Sequence, residues 1–147
     1  MTKDWVGNKK STFVTLGASN HSMRPRQEHD YYATDPKAID ALHTILPLKD
    51  LEVWEPACGG GHLSKRMKQF DAIVTSTDLY DRGYGDTGID FFEVDELIAP
   101  IIITNPPYKY ASEFLEHSMK LGADKVALFL KITFLEGQKR RKLFEKY

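Results

Sequence analysis

From residue 34 onward the apolar positions fall into two rhythms, one repeating every three to four residues and one running in short continuous blocks. Ile39, Leu42, Ile45 and Leu46 share one helical face, with Thr34 or Asp35 to cap it, Pro36 in its first turn and Pro47 to stop it. Residues 51–54 then read as a short buried strand, closed by the turn-forming run Glu55-Pro56-Ala57-Cys58-Gly59-Gly60-Gly61. Leu63, Met67 and Phe70 return to helical spacing, so the glycines sit between a strand and a helix. Residues 72–77 form a second strand ending at Asp78, and residues 101–104 a third ending at Asn105. A helix over 112–121, a strand over 125–130 and a basic helix over 138–146 follow. Residues 1–30 show no sustained periodicity and mix Gly, Asn and Ser with basic residues. They read as a basic arm that orders on a partner, ahead of one domain over 31–147.

Strands alternating with helices imply an α/β fold with a mostly parallel sheet. Such sheets bind ligands beyond the carboxyl ends of their strands, and every unusual residue cluster of this chain lies at such an end. At 147 residues and 41% hydrophobic content the chain can build one core. A chain of this size buries roughly 68–70% of its unfolded surface without needing disulfides or metals. Cys58 is the single cysteine, and no Cys/His set has zinc spacing, so no metal site is expected and a reducing, cytoplasmic compartment is the default. No apolar stretch is long enough to span a bilayer, and the first ten residues lack the apolar centre of a secretion signal.

Charge is unevenly laid out behind a net of −1: residues 1–28 carry +3, residues 131–147 carry +4, and the middle carries −8. That layout suits a polyanion held at the edges with something cationic or neutral in the centre, and is equally a set of solvated faces.

The loop chemistry narrows the choice. Gly59, Gly60 and Gly61 allow a sharp turn and close approach of backbone to a ligand. The spacing matches neither of the two glycine-rich phosphate loops, and Glu55, four residues before Gly59, would repel phosphate; a cation or zwitterion fits better. Asp78 stands where an acidic side chain at the next strand's end can accept hydrogen bonds from ribose hydroxyls, or simply cap a turn. Asn105-Pro106-Pro107-Tyr108 is the most informative stretch, because its two prolines remove backbone donors and hold acceptors out from a strand end. An amino group conjugated to an aromatic ring is a poor nucleophile. If the Asn105 side-chain oxygen and the Pro106 carbonyl accept its two hydrogens, its lone pair is freed for attack. Tyr108 can stack on the same ring, which in duplex nucleic acid requires the base to be flipped out.

These segments resemble the S-adenosylmethionine-dependent amino-methyltransferases, and most closely the phage-type N6-adenine DNA methyltransferases. The run from Glu55 to Gly61 is similar to their cofactor loop, Asn105-Pro106-Pro107-Tyr108 to their catalytic tetrapeptide, and Tyr32-Ala33-Thr34-Asp35-Pro36 to the segment ahead of that loop. The resemblance covers roughly residues 31–147. It implies a Rossmann-like class I three-layer sandwich and S-adenosylmethionine as cofactor. Thr34 would contact its methionine carboxylate, Glu55 with Pro56, Ala57, Gly59 and Gly61 its amino-acid end, and Asp78 its ribose. Asp90 would bind its exocyclic amine and Phe91 would stack on its adenine. Transfer to adenine N6 in DNA, by in-line displacement with no covalent enzyme intermediate, is the activity implied. Similar tetrapeptides also serve protein glutamine amides and ribosomal RNA guanine, which stay as alternative acceptors.

Family members continue past the last helix with two further strands that complete a seven-stranded sheet. For this chain the expectation is therefore a C-terminally shortened domain of five strands. A non-catalytic remnant that binds cofactor or nucleic acid, or completes its pocket as a homodimer or with a partner chain, is the alternative from another class. Cys58 is expected to be a small packed residue, and His62 a surface residue at a helix start. Lys139, Arg140, Arg141 and Lys142, with Lys9, Lys10, Arg24 and Arg26 of the arm, are candidates for phosphate contact or plain solvent exposure.

Overall fold

In the computed structural model, residues 33–147 are described, so the arm over 1–30 and Tyr32 of the family-like segment lie outside the described residues. The chain enters its first helix at Asp35, whose Oδ1 accepts a 2.9 Å hydrogen bond from the Lys37 amide just after Pro36. Helix α1 (Lys37–Ile45) closes with the Leu46 amide donating to the Leu42 carbonyl at 2.8 Å, immediately before Pro47 ends the helical path.

Strand β1 (Glu52–Glu55), helix α2 (His62–Gln69), strand β2 (Ile73–Ser76), strand β3 (Ile101–Thr104), helix α3 (Ala111–Lys120), strand β4 (Lys125–Leu128) and helix α4 (Gln138–Lys146) follow in order. The four strands form one all-parallel sheet in the order β2-β1-β3-β4. The helix expected over 112–121 begins and ends one residue earlier, and the strands expected over 72–77 and 125–130 are shorter. Pairing still reaches a little beyond β4, where the Phe129 amide donates to the Thr104 carbonyl at 3.0 Å.

Alternation along the strands divides the core in two. Val53, Ile101 and Ile103 point to the face covered by Ile39 of α1 and by Leu63 and Met67 of α2. Trp54 and Ile102 point to the other face, against Phe91, Tyr110 and Phe114 of α3. Helices therefore cover both faces, which is why the strand residues are apolar on both sides rather than alternating with polar ones. Each of these fully buried large side chains contributes roughly 1.5–3 kcal/mol of transfer free energy.

The expected count of five strands is corrected to four among the described residues. Between β2 and β3 the chain makes only the single parallel bridge Thr77–Asp86 and a 3-10 turn over Phe91–Glu93. A ladder cannot extend there because Gly85 sits at φ 72° with its Cα pressed on β2; an added Cβ would lie 2.7 Å from the Ser76 carbonyl oxygen.

From β1 the chain moves outward to β2, and from β3 it moves outward the opposite way to β4. The two central strands thus mark the point where the winding reverses, and their carboxyl ends open into a crevice. Glu55 ends β1 and Asn105 follows β3, which sets both at that crevice. Among the described residues β4 is an edge strand, flanked by an apolar groove that includes Leu128, Phe134 and Phe144, with Ile132 and Leu135 exposed beside it. No helix among the described residues is long and apolar enough to cross a membrane.

Candidate active site

The crevice is a cleft with about 740 Å³ of open space, counting its mouth. Its walls come from three strand ends and from the chain ahead of α1. Thr34, Glu55, Pro56, Ala57, Gly59, Asp78, Phe91, Asn105, Pro106 and Pro107, all expected as site residues, line it together. Gly61, Asp90 and Tyr108 do not.

The glycine loop is held by β2. The Asp78 carboxylate accepts from the Gly59 amide at 2.8 Å through Oδ2 and from the Tyr80 amide at 2.9 Å through Oδ1. The Cys58 amide donates to the Thr77 carbonyl at 3.0 Å. Asp78 therefore fixes the loop as well as facing the cleft, and its carboxylate has acceptor capacity beyond these amides. Burial raises its pKa, making it a weaker acid, and the hydrogen bonds from the Tyr80 and Gly59 amides partly offset the shift.

Glu55 is the most unusual group. It is 1% exposed, yet it is a carboxyl at the end of a central strand. The Ser64 hydroxyl of α2 donates to its Oε2, and the Ser76 hydroxyl lies 2.6 Å from that of Ser64. Burial, with the Asp78 charge adding to it, pushes Glu55 up to about 8. At neutral pH it is a neutral acid, and a cation brought beside it would draw off its proton.

The amide of Asn105 is half committed. Its Nδ2 donates to the Thr34 hydroxyl at 2.5 Å, tying the chain ahead of α1 to the end of β3. Its Oδ1 is buried with no hydrogen-bond partner among the described residues. A buried acceptor left unpaired costs about 1–3 kcal/mol, a cost that any donor able to reach it would relieve. The two prolines that follow add no amide hydrogens, and the Pro107 carbonyl is used by the Tyr110 amide at 2.9 Å.

Three expected residues take other positions. Gly61 adopts φ 83° with the Tyr84 ring across it, and a Cβ there would come within 2.4 Å of that ring. Gly61→Ala is expected to destabilise the chain by about 1–3 kcal/mol in denaturant unfolding, from the left-handed backbone and the clash together. Adding Tyr84→Ala should recover the steric share and leave the backbone share. Asp90 caps the 3-10 turn, its Oδ1 accepting from the Phe92 amide at 3.0 Å. Tyr108 lies just beyond the cleft, in a neighbouring pocket.

Phe91 touches the cleft but is 2% exposed and stacks on Phe114, with ring centroids 4.6 Å apart, and meets Trp54 edge-on. Phe91→Ala should therefore cost about 3–5 kcal/mol of stability, measured by denaturant unfolding, before any effect on a ligand is read.

Sequence reasoning missed several lining residues: Leu63, Leu79, Tyr80, Arg82, Ile89 and Phe114. Leu79 and Tyr80 directly follow Asp78, so the strand-end rule that found the aspartate could have reached them. Ile89 and Phe114 carry no motif and arrive only by packing. His62 is exposed and does line the cleft. Cys58 is buried, and burial with the charges of Asp78 and Glu55 pushes its thiol up to about 12, so it is packed and inert rather than nucleophilic. No group of three metal-ligating side chains occurs among the described residues.

Two acids with Arg82 beside them, an apolar wall of Leu63, Leu79, Ile89 and Phe114, and an unpaired amide oxygen at the β3 end thus meet around one cleft, which offers charged, polar and flat apolar surface together. In comparison with known proteins, the chain matches no family model and no curated protein.

Proposed function

We propose that this chain transfers a methyl group from S-adenosylmethionine to an exocyclic amine, foremost adenine N6 in DNA. The observation that carries the reading is the Asn105 amide: held through Nδ2, buried and unpaired at Oδ1, and followed by two prolines at the end of a central strand. An acceptor so placed has no structural partner to serve. It suits the hydrogen of an amino group whose lone pair must be released from a ring.

The cleft residues fit the cofactor. A buried neutral Glu55 that would ionise beside a positive charge matches a sulfonium or ammonium group, and Asp78 retains acceptor capacity for hydroxyls. Leu79, Ile89 and Phe114 provide apolar surface for an adenine. When bound, S-adenosylmethionine supplies an activated methyl group, so no acid, base or nucleophile of the chain need form a covalent intermediate. The chain's part is to bind and orient: Glu55 and Asp78 hold charge and hydroxyls, and Asn105 holds the acceptor amine. The Pro106 carbonyl, whose own residue has no amide hydrogen, is the second acceptor for that amine.

The test is transfer of labelled methyl to unmethylated DNA, with RNA and a protein extract as parallel acceptors. Label in adenine N6, absent with Asn105→Ala, supports the reading. Label in protein alone would move it to a glutamine amide, and no transfer despite cofactor binding would leave a binding module.

A further inference from the structure

The tetrapeptide has two sides. Asn105, Pro106 and Pro107 line the cleft, whereas Tyr108 lines a second pocket with about 380 Å³ of open space, shared with Lys131, Thr133 and Arg140. The Lys131 ammonium lies 5.0 Å from the Tyr108 ring centroid. Arg140, from the first turn of α4, reaches back: its Nη1 donates to the Glu136 carbonyl at 2.7 Å and contacts the Thr133 carbonyl at 3.5 Å, with the guanidinium over Phe134. These contacts fix the guanidinium without neutralising it. Among the described residues neither Lys131 nor Arg140 forms an ion pair, although Arg66 and Arg141 do.

Two cations converging on one pocket without a carboxylate partner create a local positive potential. One is a mobile point charge and the other a planar fork held by carbonyls, a pairing suited to phosphate oxygens. The pocket also shares a wall with the methyl-acceptor corner, since Tyr108 directly follows Pro107.

We propose that the pocket formed by Tyr108, Lys131 and Arg140 is a phosphodiester site that grips the DNA backbone beside the nucleotide presented to Asn105. The choice of DNA rests on the function proposed above; the anion site rests on the pocket itself. Such a contact carries no sequence information and sets register, fixing how far the nucleotide reaches across the proline corner.

Fluorescence anisotropy of a labelled adenine-containing DNA duplex, titrated between 50 and 200 mM salt, tests this. Each of Lys131→Gln and Arg140→Gln is expected to weaken binding several-fold and to reduce the slope of log affinity against log salt by about 0.9. Lys49→Gln, at an exposed position ahead of β1 and at the opposite end of the sheet, should leave the slope unchanged. Arg140→Lys, which keeps the charge, should restore most of the slope. Because Arg140 also holds two carbonyls, Lys131→Gln, a change at an exposed side chain, is decisive if Arg140→Gln fails to fold.

An unchanged slope in Lys131→Gln, or no DNA binding by the wild-type chain, overturns the site. Calorimetry with S-adenosylmethionine, run in parallel, separates the two proposals. DNA binding that needs Lys131 and Arg140 without cofactor affinity keeps the phosphate site and removes the methyltransferase reading. Cofactor affinity with unaltered DNA slopes does the reverse.

Discussion

Asn105→Ala is expected to lower methyl transfer by roughly 10²–10³-fold while changing S-adenosylmethionine affinity by no more than a few-fold. The magnitude is that of removing one preorganised hydrogen-bonding group from a site where it acts on the reacting atoms. The separation of the two effects follows from geometry, because the groups assigned to the cofactor's charge and hydroxyls are Glu55 and Asp78, on other strand ends. The side chain has a second role, its 2.5 Å bond to Thr34, which a control must isolate. Thr34→Val removes that bond and keeps the Asn105 oxygen; because Thr34 also lines the cleft where the cofactor's carboxylate is assigned, its transfer is compared at saturating S-adenosylmethionine. It should reduce transfer far less than Asn105→Ala if the oxygen is the working atom. Equal losses in both variants, or a large loss of cofactor affinity in Asn105→Ala, would overturn the division of roles. Calorimetry for binding and single-turnover transfer of labelled methyl for chemistry read the two quantities separately.

Glu55 supplies the second large effect, and its sign can be worked out. In the free protein burial keeps the carboxyl protonated up to about pH 8. A cationic ligand favours the ionised form, so binding below that pH must release a proton. Affinity should therefore rise by close to tenfold per pH unit between pH 6 and 7.5, roughly 30-fold in all, with near one proton released per ligand bound. Calorimetry in buffers of different ionisation enthalpy measures that proton. Glu55→Gln should bind the cofactor weakly at every pH and show a flat profile; a sloped profile in the variant would assign the linkage elsewhere.

The same group sets a stability trend in the free protein. Its folded-state pKa is raised above the ordinary value of 4.5, so between pH 4.5 and about 8 the folded chain holds more of the proton than the unfolded chain does. Stability from this group is complete below 4.5 and is lost as pH rises through 8, by a few kcal/mol. Denaturant midpoints of the wild type should fall across that window, and those of Glu55→Gln should not.

Much of this was legible in the residues. The spacing of Ile39 and Leu42, the Asp35-Pro36 start and the Pro47 stop predict α1, and the short blocks around Val53 and Ile102 predict strands, because hydrophobic period and proline geometry are local properties. The alternation of those elements predicts a parallel sheet, and the turn residues after each strand predict where its ligand end lies. What local chemistry could not decide was which groups become isolated from water. Glu55 in the sequence is an acid expected to be charged; only the layer of α2 across it, with Ser64 and Ser76, makes it neutral. Gly61 looks like part of a ligand loop until Tyr84, twenty-three residues later, folds over it. Phe91 looks like a stacking platform until Phe114 and Trp54 close around it. Lys131 and Arg140 look like members of a basic tail until the turn over Ile132–Leu135 brings them to Tyr108. Periodicity and turn chemistry act over a few residues and were therefore readable directly; desolvation and charge convergence depend on neighbours distant in the chain, and those only the tertiary structure supplies.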